Sequence, residues 1–274
     1  MSSVINVEYK GRVAIITIDN EKKLGALNLD QYFELATKMN EVAAHDEVYV
    51  TVLIGKGRFF SAGADVSSAL SGPPPGSSTS PHRHILNTFL VNNLTLTRAF
   101  YSHPKILVAA LNGPVIGLSA SLVSIADFIY ATPSTFLLTP FSSLGLVAEG
   151  AASKALVRRL GPARANEALL MSKKLTVDVL KECGYLNEVF DVGSGAGADV
   201  RFRERVLKEV DDRLGEHLVG DSLLGIKKLI REGELKEFEV QNVWEVFGGV
   251  DRLMKGIPQE EFRKIASGEK RHKL

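Results

Sequence analysis

Two apolar runs, VYVTVLIG at 48–55 and KILVAALNG at 105–113, each end in glycine and lead into a turn of small residues. A strand with one face in water alternates apolar and polar positions, whereas a run that is apolar throughout must be covered on both faces. Such strands belong to largely parallel sheets with helices packed on them, so the two runs predict an α/β domain. The rest of the chain to about residue 190 agrees. INVEYKGRVAIITID alternates, is rich in β-branched residues and predicts a hairpin turning near Lys10-Gly11. Asn28, with Gln31 three residues on, has the form of a capping box. The helix after it carries Tyr32, Phe33, Leu35, Ala36, Met39, Val42 and Ala43 on one broad face. HILNTFLVNNLTLTRAF (84–100) predicts a helix, GLSASLVSIAD (117–127) a helix of small residues, and FIYAT and TFLLT predict strands. Between them SGPPPGSSTS (71–80) reads as a surface loop beside the pocket rather than a linker, because the pattern resumes at once.

Strand signals stop after GSGAGAD (193–199). Phe202, Val206, Leu207, Val210 and Leu214 mark one amphipathic helix, and Leu223, Leu224, Ile226, Leu229 and Ile230 another. VQNVWEVFGGVDRL and QEEFRKIAS suggest further helices. The chain therefore divides into an α/β core, 1–199, and a helical region, 200–274. Those helices are too short for a core of their own, so they either pack back on the α/β part or join subunits, and both are expected. Phe202, Val243, Trp244 and Phe247 supply apolar surface for the joining.

Several function classes are disfavoured. With 33 basic and 32 acidic residues there is no basic surplus for nucleic acid. No apolar run reaches the roughly 18 residues of a membrane span. MSSVINVEYKGR has neither an apolar signal core nor the form of a basic amphipathic presequence. Cys183 is the only cysteine, so no intrachain disulfide forms. No His/Cys/Asp cluster suggests a metal, and His82 and His84 beside the loop read as solvated. A formal G-x-G-x-x-A (Gly193, Gly195, Ala198) raises an NAD-dependent oxidoreductase. A dinucleotide unit needs a second parallel strand after its helix, and 200–274 offers none.

What remains is one misplaced carboxylate and two glycine-rich turns. Glu149 stands in SLGLVAEGAASKAL among groups that cannot solvate it. Alone, it could be a first-turn helix glutamate complementing the dipole of GAASKALVRRL. GRFFSAGADV (57–66) and LNGPVIGLSASL (111–122) follow the two buried strands. Either could be an ordinary tight connection, but small residues also let a backbone N–H approach a ligand, and the second lies at a helix N-terminus.

The segments RFFSAGAD, LNGPVIGLSASLVSIAD and PFSSLGLVAEGAASKAL, in this order and spacing, resemble the crotonase (enoyl-CoA hydratase/isomerase) superfamily over nearly the whole chain. The nearest resemblance is to fungal peroxisomal Δ3,Δ2-enoyl-CoA isomerases. It implies a spiral of ββα units with a C-terminal helical oligomerisation region, assembled as trimers or dimers of trimers. It implies an acyl-CoA thioester as substrate and no cofactor. The N–H groups of Ala64 and Leu118 would form an oxyanion hole, with Ala62, Asp65, Lys22, Lys23 and Leu24 bordering the CoA moiety. Lys22 and Lys23 would serve equally as a solvated turn, and Gly25 stands where the family often has Asn.

Departures from the family narrow the reaction. The two hydratase glutamates would fall at Ser121 and Phe141, and both are missing. Glu149 occupies the place of the isomerase base, and Asn93, aligned by TRAF, would approach and orient it. The expected reaction moves a proton from C2 to C4 of a 3-enoyl-CoA, giving the trans-2-enoyl-CoA of fatty-acid β-oxidation. Two alternatives stay open: a dienoyl-CoA isomerase, a sibling typically using further acidic groups, and a non-catalytic acyl-CoA-binding member. His272-Lys273-Leu274 resembles the S-K-L type of import signal and predicts a peroxisomal matrix protein that meets an import receptor.

Overall fold

The computed structural model describes residues 3–65, 72–74 and 76–271; His272-Lys273-Leu274 lie outside them. β1 (Ile5–Lys10) and β2 (Val13–Ile18) form the expected antiparallel hairpin. α1 (Leu29–Ala43) opens with the full capping box, Asn28 Oδ1 accepting from Gln31 N and Gln31 Oε1 from Asn28 N. Such a cap is worth about 1 kcal/mol. β3 (Val50–Gly55) is buried at every position and runs parallel to β2. α2 (Pro81–Ile85) begins where Ser80 caps it and passes through a π-helical turn (Leu86–Leu90) into α3 (Val91–Tyr101). β4 (Ile106–Leu111) is again wholly buried and pairs parallel with β3.

Shorter pieces follow: β5 (Val115–Ile116), α4 (Leu118–Val123), β6 (Phe128–Ala131), β7 (Phe136–Leu138), α5 (Ala152–Leu170), β8 (Leu175–Thr176), α6 (Val177–Glu182) and β9 (Glu188–Val189). A six-stranded sheet has the order β1-β2-β3-β4-β6-β9, and a three-stranded sheet the order β5-β7-β8. Beyond them lie α7 (Ala198–Leu214), α8 (Gly220–Met254) and α9 (Ile257–Ala266). The expected α/β spiral with a helical C-terminal region is present.

The large sheet has a core on each face. Val50, Val52, Ile54 and Val108 pack on Phe202, Val206 and Val210 of α7. Leu53, Ala109 and Leu111 belong to the opposite layer with Leu35 and Met39 of α1 and Leu96 and Phe100 of α3. This explains why β3 and β4 are apolar at every position.

Three sequence expectations need correction. Phe202 is fully buried in the α7 layer and offers no surface to a partner. Phe33 is 53% exposed, because the buried stripe of α1 passes through Tyr32, Leu35, Ala36, Met39 and Val42 and leaves its neighbour outside. Residues 220–254 form one continuous helix rather than two; no proline interrupts them, and Gly225, Gly233, Asn242, Gly248 and Gly249 are carried within it. α8 is held to the core by Asp127, whose carboxylate meets Lys227 Nζ at 2.7 Å and Arg231 Nη2 at 2.6 Å. The G-x-G-x-x-A stretch is a loop leading into α7, and helix α8, not a strand, comes next. Among the described residues no helix is long and apolar enough to cross a membrane.

Candidate active site

The turns after β3 and β4 lie side by side. Ile116 N donates to Ser61 O at 3.0 Å, and Phe60 N and Ser61 N both donate to Pro114 O. Gly63 has φ +89°, and a Cβ there would sit 2.8 Å from Ile116 O. Gly117 has φ 60° and ψ −132°, a conformation that side chains do not tolerate. Beneath the turns, Ser61 Oγ donates to Gly25 O and contacts Ser119 Oγ at 2.8 Å, and Tyr32 OH reaches the same Ser119 Oγ at 3.0 Å. Asn112 braces the first turn: its Oδ1 accepts from Gly55 N and its Nδ2 donates to Gly57 O and Phe59 O.

This scaffold places Ala64 and Leu118 on one cleft. Leu118 is the first residue of α4, so its N–H has no partner within the helix. Among the described residues neither N–H donates to a protein acceptor. Glu149 lines the same cleft. It lies in the connection between β7 and α5, three residues before the helix, rather than in its first turn. The helix starts late because Gly150 and Ala151 both take left-handed φ, +71° and +58°. Gly150 lies against α4, where a Cβ would come 2.7 Å from Leu118 Cδ1.

Asn93, buried on α3, donates from Nδ2 to Glu149 Oε2 at 2.9 Å and receives Thr97 Oγ1 on its own Oδ1. Leu27, Leu96, Leu146, Phe89, Leu253 and Phe262 supply apolar walls. Some of the Glu149 surface reaches the cleft, yet protein surrounds the carboxyl closely. Burial pushes it up to about 7, the Asn93 hydrogen bond pulling the other way and the charge of Glu245 adding to the rise. A carboxyl so placed is part ionised near neutrality and can take or give a proton.

At the rim, Lys23 Nζ pairs with Asp65 Oδ2 at 2.5 Å, and Ala62 N donates to Leu24 O at 2.9 Å. The structure thus gathers Lys23, Leu24, Ala62 and Asp65 beside Ala64. Lys22 lies exposed on the adjoining turn and does not line the cleft. Ser121 and Phe141 are buried behind the wall. Gly72 and Pro73 border a neighbouring cavity that shares Phe89 and Leu253 with the cleft.

Sequence reasoning missed Tyr32, Ser61, Ser119 and Asn112 as braces and Leu253 and Phe262 as walls. Only Asn112 left a signal, an Asn-Gly at the end of a buried strand. The arrangement can hold a carbonyl oxygen on two N–H groups while a desolvated carboxylate works on the adjacent carbon.

Comparison with known proteins gives the family and the fold. Residues 8–209 match the family described as enoyl-CoA hydratase/isomerase. A Delta(3,5)-Delta(2,4)-dienoyl-CoA isomerase of Pyricularia oryzae is 63% identical over the whole of both chains. A 3,2-trans-enoyl-CoA isomerase of Saccharomyces cerevisiae is 32% identical over 98% of this chain and 96% of that one. The crystal structure of an enoyl-CoA hydratase/isomerase from Pseudoalteromonas atlantica superposes with a TM-score of 0.84 at 25% identity, covering 99% of this chain and all of that one.

Proposed function

The chain belongs to the enoyl-CoA hydratase/isomerase family, and from that premise we propose that it is an isomerase shifting a carbon–carbon double bond within an unsaturated acyl-CoA thioester. The observation that carries this reading is Glu149, a desolvated carboxyl on the same apolar cleft as two N–H groups without acceptors among the described residues. The thioester oxygen sits between Ala64 N–H and Leu118 N–H. Glu149 takes a proton from C2 of a 3-enoyl-CoA, and the dienolate charge rests on the two donors, each worth about 2.7–4 kcal/mol by analogy with other oxyanion holes. Protonated Glu149 returns the proton to C4, giving the 2-enoyl-CoA. The CoA moiety lies along the rim of Lys23, Leu24, Ala62 and Asp65, with Lys22 exposed on the adjoining turn. Addition of water would need a second proton-transferring group, and the hydratase positions hold Ser121 and Phe141. Asp65, the other carboxylate on the cleft among the described residues, pairs with Lys23.

One observation favours a second reading, a 3,5-dienoyl-CoA substrate: the 63% identity to a dienoyl-CoA isomerase. The first step is unchanged. The enolate then extends to C6, and the proton must travel four carbons rather than two. A single carboxylate suits the shorter transfer better, and this favours the 3-enoyl substrate. Spectrophotometric turnover of 3-hexenoyl-CoA beside a 3,5-dienoyl-CoA decides. At least about tenfold higher kcat/KM on the former supports the first reading, the reverse ratio the second. Turnover of neither contradicts both and leaves a family member that only binds acyl-CoA. The expected site of action is the peroxisomal matrix, reached through His272-Lys273-Leu274; a fusion lacking these residues should become cytosolic, and unchanged peroxisomal location would contradict the assignment.

A further inference from the structure

The most unusual group outside the cleft is Glu245, a carboxylate on α8 with 6% exposure. Its Oε1 accepts from Ser153 N at 2.8 Å and from Ser153 Oγ. Gln241, one turn earlier on α8, donates to the same Ser153 Oγ at 2.7 Å. These contacts fall on the first turn of α5, which has no side-chain cap of its own because Ala151 occupies the N-cap position. A helix start leaves N–H groups unsatisfied and favours negative charge, so Glu245 acts as a cap supplied by another element. The chain entering that turn is the one that carries Glu149, and Ala152 N donates to Glu149 O at 3.3 Å. The next residue of α8, Asn242, donates to Leu94 O beside Asn93. α8 therefore holds both the segment of the base and the segment of its hydrogen-bond donor.

A neutral side chain could cap α5 as well. Instead a carboxyl is buried there, at a desolvation cost, with Oε2 lacking a hydrogen-bond partner among the described residues. The N–H groups of Ala151 and Ala152 lie near enough to favour its charged form, although burial outweighs them and pushes the group upward. We propose that Glu245 is a positioning residue of this site, fixing the Glu149 segment by capping α5 from α8 with a carboxyl that, when ionised, puts a like charge behind the base. This rests on the reading of Glu149 as that base. Among the described residues, the ionisable groups around Glu149 are Tyr32 from α1, Asp65 with Lys23 at the rim, and Glu245 from α8; α3 adds neutral Asn93. Glu245 in turn faces Ser153 of α5 and Gln241 of its own helix.

Glu245→Gln keeps an acceptor for Ser153 and removes the charge; Glu245→Ala removes both. The Glu149 carboxyl can be followed without substrate by carbon-13 NMR, its signal assigned by its loss in Glu149→Gln. In Glu245→Gln it should titrate about half a pH unit lower than in the wild type, because a like charge has gone. In Glu245→Ala, kcat should fall about tenfold or more with KM within about threefold, and Gln should recover most of that loss. If the alanine variant does not fold, the glutamine variant carries the test. A Glu149 carboxyl that titrates unchanged in Glu245→Gln overturns the proposal, whatever the protein turns over. A shifted titration in a wild type that isomerises no enoyl-CoA would count against the isomerase reading and not against this one.

Discussion

Glu149 is subject to two opposing effects. The Asn93 hydrogen bond favours its ionised form, and burial, with the charge of Glu245, opposes it. Burial wins, and the carboxyl stands at about 7 against the ordinary 4.5. A base must be ionised, so kcat/KM should fall about tenfold per pH unit below about 7 and level off above it; a flat profile from pH 5 to 8 would contradict this. Stability follows the opposite sense. A folded-state value raised above the unfolded one gives stability that is full below about 4.5 and is lost as pH rises through about 7. Glu149→Gln, neutral at every pH, should therefore melt above the wild type at pH 8, with the gap closing near pH 4; scanning calorimetry at both pH values checks it. Asn93→Ala removes the hydrogen bond that holds the value down and should move the acid limb of kcat/KM to higher pH. At this scale the sequence was informative where a residue clashed with its neighbours: Glu149 stands out among apolar groups. Glu245 did not, because in VQNVWEVF it looks like any glutamate on a polar helix face, and its partner Ser153 lies far away in sequence.

The two turns act as a single element. Each glycine-rich segment is an ordinary connection, but Gly63 against Ile116 O and the Ser61–Ser119–Tyr32 chain make them one rigid unit. Gly63→Ala should push the turns apart and misplace Ala64 N–H. The expected result is a loss of kcat/KM of about ten- to a hundredfold and of about 1–3 kcal/mol in stability, read by turnover and thermal melting. Unchanged turnover would show that the close approach is not needed. The strands, α1 and its capping box were legible because local periodicity and capping decide them. The continuity of α8 was not, because its anchors on Asp127 and Ser153 are long-range contacts. Phe202 was misjudged for the same reason: an amphipathic pattern says that a face is covered, not by what.

At the scale of the whole molecule, the helical region completes the cleft and leaves apolar side chains exposed. Leu253 and Phe262 complete the cleft, so residues beyond 199 help build the site. Meanwhile Leu229, Ile230, Trp244 and Phe247 remain 75%, 64%, 67% and 55% exposed, a broad apolar surface of the kind that marks subunit contacts. Light scattering should find a trimer or a pair of trimers at micromolar concentration; a stable monomer would refute that. All of these expectations depend on one claim, that a single buried carboxylate moves the proton. The direct measurement is turnover of Glu149→Gln beside the wild type, on whichever enoyl-CoA the wild type prefers, with a binding titration of a saturated acyl-CoA. The account predicts a fall in kcat of at least about 10²-fold, the usual worth of a positioned general base, with affinity within about threefold. A variant that keeps most of its turnover while binding is intact would contradict it and place the base elsewhere in the cleft.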